Sequence, residues 1–322
     1  MAKRLLLALL GAAVLAIGAV LALAYPQYRD DIEAARSRVA RGSEIAQTAC
    51  GPIEYAAMGA GPAVLLVHGA GGGFDQLLDM ARALAQRGFR VVAPSRFGYL
   101  RTPLPADASP AAQADAHACL LDALKIERAA VVGVSAGAPS SMQFALRHPR
   151  RCAALALLVP LAWAPPEERA SAPRPSPAVW LVFPTLKSDF LFWLLTRTAP
   201  SLVTRALLAT PPETVEAAGA AERERIAGMM RLLLPVGPRQ DGLRNEGAVV
   251  RSLERYPLER IEAPALLVSA ADDGYGTYAS ARYTATQIKG ARFVGYPSGG
   301  HMLAGHEADT IEELAAFLKA HP

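Results

Sequence analysis

The residues best placed to do chemistry lie in VVGVSAGAP (131–139), where Gly133-x-Ser135-x-Gly137 follows an apolar run and precedes a stretch of helical period. A serine on a tight strand-to-helix turn needs small residues on both sides, because the turn is strained and neighbouring backbone passes close by. Its hydroxyl then stands exposed above the end of a sheet, where it can attack a carbonyl carbon. The start of the following helix favours the negative charge that such an attack develops.

A second glycine-rich segment, His68-Gly69-Ala70-Gly71-Gly72-Gly73-Phe74, runs on from the apolar VLLV (64–67). Small residues there let backbone amides face a ligand, and the amides of Ala70 and Ala136 are expected to form an oxyanion hole, helped by Gly71. Gly71 and Phe74 are the candidate substrate contacts. A dinucleotide-binding loop fails on spacing, since Phe74 stands where a third glycine is needed and no acidic residue ends a following strand. His68 is expected to hold this loop rather than act as a base.

A serine nucleophile also needs a base, and the base an orienting acid. Ser298-Gly299-Gly300-His301 follows the apolar RFVGYP (292–297), which makes His301 the candidate base. Asp272 and Asp273 follow ALLVS (265–269), and both stay open as the acid from spacing alone. His306 with Glu307 is expected on the next helix surface, and His117 and His148 read as surface residues of helices.

Elements of one kind place all these groups. Short runs that are apolar on both faces (64–67, 89–94, 129–134, 154–159, 265–269 and 292–297) alternate with helical patterns, as in a parallel sheet covered on each side. Each chemical group falls just past the end of such a run. The interval from Val159 to Ala265, about a hundred residues without a strand pattern, is far longer than a connection in a compact domain. It opens with Pro160, Pro165, Pro166, Pro173, Pro175 and Pro177 and continues with apolar helical stretches, so residues 161–255 are expected to be a helical cap. The core is then 43–160 and 256–322. Trp180, Phe183, Phe190, Phe192 and Trp193 serve either cap packing or an apolar pocket or membrane surface, with packing favoured.

Composition narrows the classes further. The chain has 322 residues, 52% of them hydrophobic and 19% charged, far from the disordered range. A net charge of +4 without a run of like charges gives no support to nucleic-acid binding. Cys50, Cys119 and Cys152 lie far apart without metal-type spacing and are expected to be buried thiols. Residues 5–24 carry no charge and, at about 1.5 Å per residue, span roughly the 30 Å of a bilayer core. Ala22-Leu23-Ala24 would also permit signal cleavage before Tyr25. Either way the positive flank of Lys3 and Arg4 stays inside, so the expectation is an anchored or exported domain that faces outward.

From about Ser43 to its end, the chain resembles an α/β-hydrolase-fold serine hydrolase with a cap inserted after the sixth strand. The matching motifs are His68-Gly69, Gly133 to Gly137, the acid turn and Gly300-His301. The resemblance implies an α/β fold with a mostly parallel, doubly covered sheet, a Ser135–His301–Asp273 triad, an oxyanion hole from Ala70 and Ala136, and no cofactor or metal. Counting from Pro264 as in relatives selects Asp273, with Ala270 where they carry glycine.

The reaction expected is hydrolysis of a carboxylic ester or related acyl bond in a small hydrophobic substrate. Serine at the elbow argues against the dehalogenase and epoxide-hydrolase branches, which use aspartate. A C–C bond hydrolase of ring-cleavage products is the nearest alternative, although Met302 stands where those enzymes place tryptophan. Haloperoxidase and thioesterase activities, and a non-catalytic binding protein on the same fold, also stay open.

Overall fold

The computed structural model describes residues 2–170, 172–173 and 175–322, with most of residues 2–22 described as backbone only. Eight strands form one sheet: β1 (Glu44–Thr48), β2 (Gly51–Met58), β3 (Ala63–Val67), β4 (Arg90–Pro94), β5 (Ala129–Val134), β6 (Cys152–Leu158), β7 (Ala265–Ala270) and β8 (Arg292–Tyr296). Their order is β1-β2-β4-β3-β5-β6-β7-β8. β1 and β2 pair antiparallel, β2 is antiparallel to β4, and every pairing from β4 through β8 is parallel.

The two-sided apolar runs bury both faces. Leu65, Val67, Val131, Leu155, Leu157 and Leu267 point to one side. There they meet α3 (Pro110–Ala123), α4 (Ala138–Arg147) and α12 (Thr277–Gln287). Val64, Leu66, Val132, Leu158, Leu266 and Val268 point to the other side, toward α2 (Leu78–Gln86) and α13 (Glu307–Ala320). Ser109 caps α3 by accepting from the Ala112 amide at 3.2 Å, with Pro110 opening the helix where its missing N–H costs nothing.

Between β6 and β7 the described residues form helices only: α5 (Pro166–Arg169), α6 (Val179–Val182), α7 (Asp189–Thr198), α8 (Pro200–Ala206), α9 (Pro212–Ala217), α10 (Ala220–Leu232) and α11 (Gln240–Arg251), with short 3-10 turns. They share a third apolar cluster that includes Phe192, Trp193, Ile226 and Met230. Ile32 and Ala35 of the first helix, α1 (Ala2–Ala40), belong to the same cluster.

The first helix corrects the reading of the N-terminus. Among the described residues no helix is long and apolar enough to cross a membrane, which overturns the expectation of a membrane-anchored or exported domain facing outward. The uncharged run is not a separate element, because α1 passes through Ala24 and Tyr25 without a break to Ala40. Its second half packs on the helical insert, where the Tyr28 ring sits 5.0 Å from Phe190 and 5.5 Å from Trp193. The side chains of residues 5–22, apart from Gly11 and Gly18, lie outside the described residues.

The cysteines are a second correction. Cys50, in the β1–β2 turn, is joined to Cys119 of α3 by a disulfide, with Cα atoms 6.0 Å apart across a separation of 69 residues. No local spacing announces a pair that only the packing of α3 against the hairpin creates. Cys152 is a buried free thiol, and burial pushes its pKa up to about 12.

Candidate active site

Ser135 stands between β5 and α4 with φ of +51°, a left-handed backbone that a side chain adopts only under the constraint of its surroundings. The glycines on each side supply that room. A Cβ at Gly133 would collide with the Ser141 hydroxyl, and one at Gly137 would stand 2.6 Å from the Val67 carbonyl oxygen. The turn from 135 to 137 leads directly into α4.

The Ser135 hydroxyl donates to His301 Nε2 at 2.8 Å, and His301 Nδ1–H donates to Asp273 Oδ2, also at 2.8 Å. Three parallel strands therefore bring their C-terminal loops to one point: Ser135 after β5, Asp273 after β7 and His301 after β8. Asp273 is fully buried and accepts further from the Tyr275 amide (2.8 Å) and from the Thr277 hydroxyl. The Tyr275 ring meets the His301 ring edge-on, with centroids 5.0 Å apart. Asp272 points elsewhere. Its Oδ1 accepts the Gly300 amide at 2.7 Å and its Oδ2 the Thr214 hydroxyl at 3.3 Å, so it clamps the histidine loop to the insert. Such a line of hydroxyl, imidazole and carboxylate can withdraw a proton from the serine as it attacks.

The glycine-rich loop passes beside the nucleophile turn, since a Cβ at Gly69 would stand 3.2 Å from that of Ser135. Both amides flanking Ala70 are engaged: Gly69 N–H donates to Gln76 Oε1 (2.9 Å) and Gly71 N–H to the Tyr99 hydroxyl (3.2 Å). The Ala70 amide has no acceptor among the described residues. His68 is fully buried, its Nδ1–H donating to the Gly69 carbonyl (2.7 Å) and its Nε2 accepting the Arg96 amide (3.0 Å). Burial, with help from Arg96, holds its pKa well below the ordinary histidine value, so it is a neutral strut of the loop.

Charged side chains from the core, the insert and α1 brace the same loop. Arg96 Nη2 donates to the Gly69 carbonyl (3.1 Å) and pairs with Glu246 of α11, whose Oε1 also accepts the Tyr99 hydroxyl (3.0 Å). Arg239, fully buried, donates to the Gly72 carbonyl and to both oxygens of Asp75 at 3.1 and 2.8 Å. Arg38 of α1 adds a second ion pair to Asp75 at 3.1 Å. These residues gave no signal in the sequence, because charge partners 37 to 164 residues apart leave no spacing to read.

Other expectations meet mixed outcomes. Phe74 is buried, its amide donating to the Ser95 hydroxyl at 3.0 Å, and Gly71 is engaged by Tyr99, so neither lines the cavity expected to take substrate. His117 is fully buried rather than on the surface, since α3 lies between the sheet edge and α4. His148 is half-buried against Asp115 (2.8 Å). His306 precedes α13 and stacks on Tyr296 at 4.0 Å. Phe192 and Trp193 are buried while Trp180 and Phe183 are exposed.

A cavity of about 870 Å³ adjoins the site. His301 and Val134 form its floor, α10 and Trp193 one side, Leu77 and Met80 another, and Asp31, Ala34, Ala35 and Arg38 of α1 a further wall. No group of three or more His, Cys, Asp or Glu among the described residues is arranged to hold a metal ion.

Residues 62–307 match the family described as the alpha/beta hydrolase fold, and the chain belongs to that family and is a hydrolase. Over 292 residues it is 26% identical to an uncharacterized hydrolase, YcgS, of Bacillus subtilis, a match covering 84% of this chain and 96% of the relative. It is 34% identical over 104 residues to a 2-hydroxymuconate semialdehyde hydrolase of Pseudomonas, covering 31% of this chain and 37% of that protein. Among solved structures, an alpha/beta hydrolase fold protein from Nakamurella multipartita superposes with a TM-score of 0.70 at 29% identity, over 87% of this chain and 100% of the other.

Proposed function

We propose that this hydrolase cleaves a carboxylic ester or related acyl bond of a small hydrophobic substrate through an acyl-enzyme. The observation that carries the reading is the hydrogen-bonded line from Ser135 through His301 to Asp273, whose His301 lines a partly open, largely apolar cavity. Ser135 Oγ attacks the acyl carbon as His301 Nε2 takes its proton, and the amides of Ala70 and Ala136 receive the oxyanion. His301 then protonates the departing alcohol. Water, deprotonated by the same nitrogen, releases the acid and returns the proton to Ser135. Asp273 holds the imidazole in the tautomer whose Nε2 is free to accept. Residues 161–255 act as a lid over a core of 43–160 and 256–322, closing the cavity and setting which substrates enter.

A fluorophosphonate probe should label Ser135, located by mass spectrometry, and a p-nitrophenyl ester series should turn over. Absence of labelling in folded protein sinks the serine reading. Labelling without ester turnover would favour the second reading, C–C bond hydrolysis. The partial likeness to 2-hydroxymuconate semialdehyde hydrolase supports that alternative, while Met302 beside His301 weighs against it.

A further inference from the structure

α1 begins and ends before the residues that match the family, which start at 62, yet its second half walls the cavity beside His301. It is fixed there from several directions. Asp31 accepts from Trp193 Nε1 (2.8 Å) and Arg197 (2.7 Å), while Arg38 reaches Asp75 and the Leu234 carbonyl. Ile32 and Ala35 are buried against the insert. This wall and the floor carrying His301 are thus parts of one packed body.

The charges around the cavity are matched among themselves. Asp31 pairs with Arg197, Arg38 with Asp75, Arg225 with Glu222 and Glu307, and Arg231 with Glu224. Each arginine of this set has a carboxylate partner, with Asp75 shared between Arg38 and the buried Arg239. Between the ion pairs the opposing surfaces are small or apolar: Ala34 and Ala35 on α1 face a space shared with Ala227, Gly228, Met229 and Met230 on α10. α10 contributes residues from Glu224 to Leu232, all but Ile226, a stretch of roughly 12 Å at helical rise. An elongated, uncharged apolar group fits such a slot, and flexible methionine side chains let it vary in shape.

We propose that α1 is a specificity-determining wall of the substrate site, with Ala34 leaving room for the distal apolar chain of the substrate. This assignment rests on the serine-hydrolase reading above. Ala34→Trp adds bulk on the α1 side of the cavity, whereas Glu33→Trp adds the same bulk at an exposed position outside the cavity lining.

In the full-length protein, kcat/KM for p-nitrophenyl octanoate should fall by about tenfold or more in Ala34→Trp, while that for p-nitrophenyl acetate stays within about twofold. Glu33→Trp should leave the octanoate-to-acetate ratio unchanged, and Ala34→Leu should fall between, which keeps the test decisive if the larger side chain impairs folding. An unchanged ratio in both Ala34 variants, or an equal fall for both esters, overturns the role of α1. Fluorophosphonate labelling of wild-type Ser135 separates the two layers, because its absence removes the serine reading itself, whereas labelling with an unchanged ratio removes only the wall.

Discussion

Two adjacent aspartates with different partners give the sharpest test at the scale of single residues. Asp273 faces His301 Nδ1, and Asp272 faces the Gly300 amide. Asp273→Asn should lower kcat by about 10⁴-fold, since an amide there favours the wrong tautomer. Ser135→Ala and His301→Ala should cost at least about as much. Asp272→Asn keeps an acceptor for Gly300 and should change kcat by less than about tenfold. Steady-state kinetics with matched circular dichroism spectra checks all four, and an inactive Asp272→Asn beside an active Asp273→Asn would reverse the assignment. Ser135 and His301 were legible in the sequence because their glycine neighbours serve local geometry, and local geometry leaves local spacing. The two aspartates were not separable by spacing alone, for they sit on the same turn and differ only in which loop each reaches. His117 was misjudged because α3 is rich in alanine, which blurs the contrast between faces that periodicity depends on.

At the scale of elements, the insert braces the loop from His68 to Phe74 directly through Arg239 and at one remove through Glu246. Glu246 of α11 joins Arg96 and Tyr99, and through them the Gly69 carbonyl and the Gly71 amide. Glu246→Gln keeps an acceptor for Tyr99 but removes the charge opposite Arg96. It should lower kcat for short and long esters alike with little change in KM, and destabilise by about 3–5 kcal/mol, the usual cost of leaving a buried charge unpaired. Urea unfolding and ester kinetics read the two effects separately, and a variant with wild-type kcat would detach α11 from the loop's geometry. The parallel strands β3 to β8 were readable because burial on both faces writes continuous apolar runs. The β1–β2 pair at the sheet edge was not. β1, the edge strand, is mostly exposed, and Pro52 at the start of β2 obscures a strand pattern.

Across the whole molecule, two buried neutral histidines set a pH limit on stability. The pKa of His68 lies well below its ordinary value and that of His117 falls to about 3, burial being the main cause for each. Below pH about 6.5 the unfolded chain binds protons at these positions and the native state does not, so stability falls as pH drops below that value, down toward 3 for His117. The slope should reach about 1.4 kcal/mol per pH unit for each histidine. Urea midpoints from pH 7 to 4.5 measure it, and His117→Gln should make the fall shallower. A flat wild-type profile would mean that these rings are not neutral in the native state. The Cys50–Cys119 disulfide closes a long loop of the unfolded chain, and Cys50→Ser should cost about 4 kcal/mol by the loop-entropy estimate. Thermal unfolding with and without reductant checks this value.

The spacing along the chain of the three groups at the site bears on how the molecule assembles. Ser135 and His301 are separated by 166 residues, and the strands that carry them, β5 and β8, are linked only through β6 and β7. The hydroxyl and imidazole thus meet only when the far edge of the sheet has docked. Contacts of such high sequence separation form late, after their loop-closure entropy has been offset by the rest of the structure. During refolding, helical signal should return first, and fluorophosphonate reactivity only with the completed sheet.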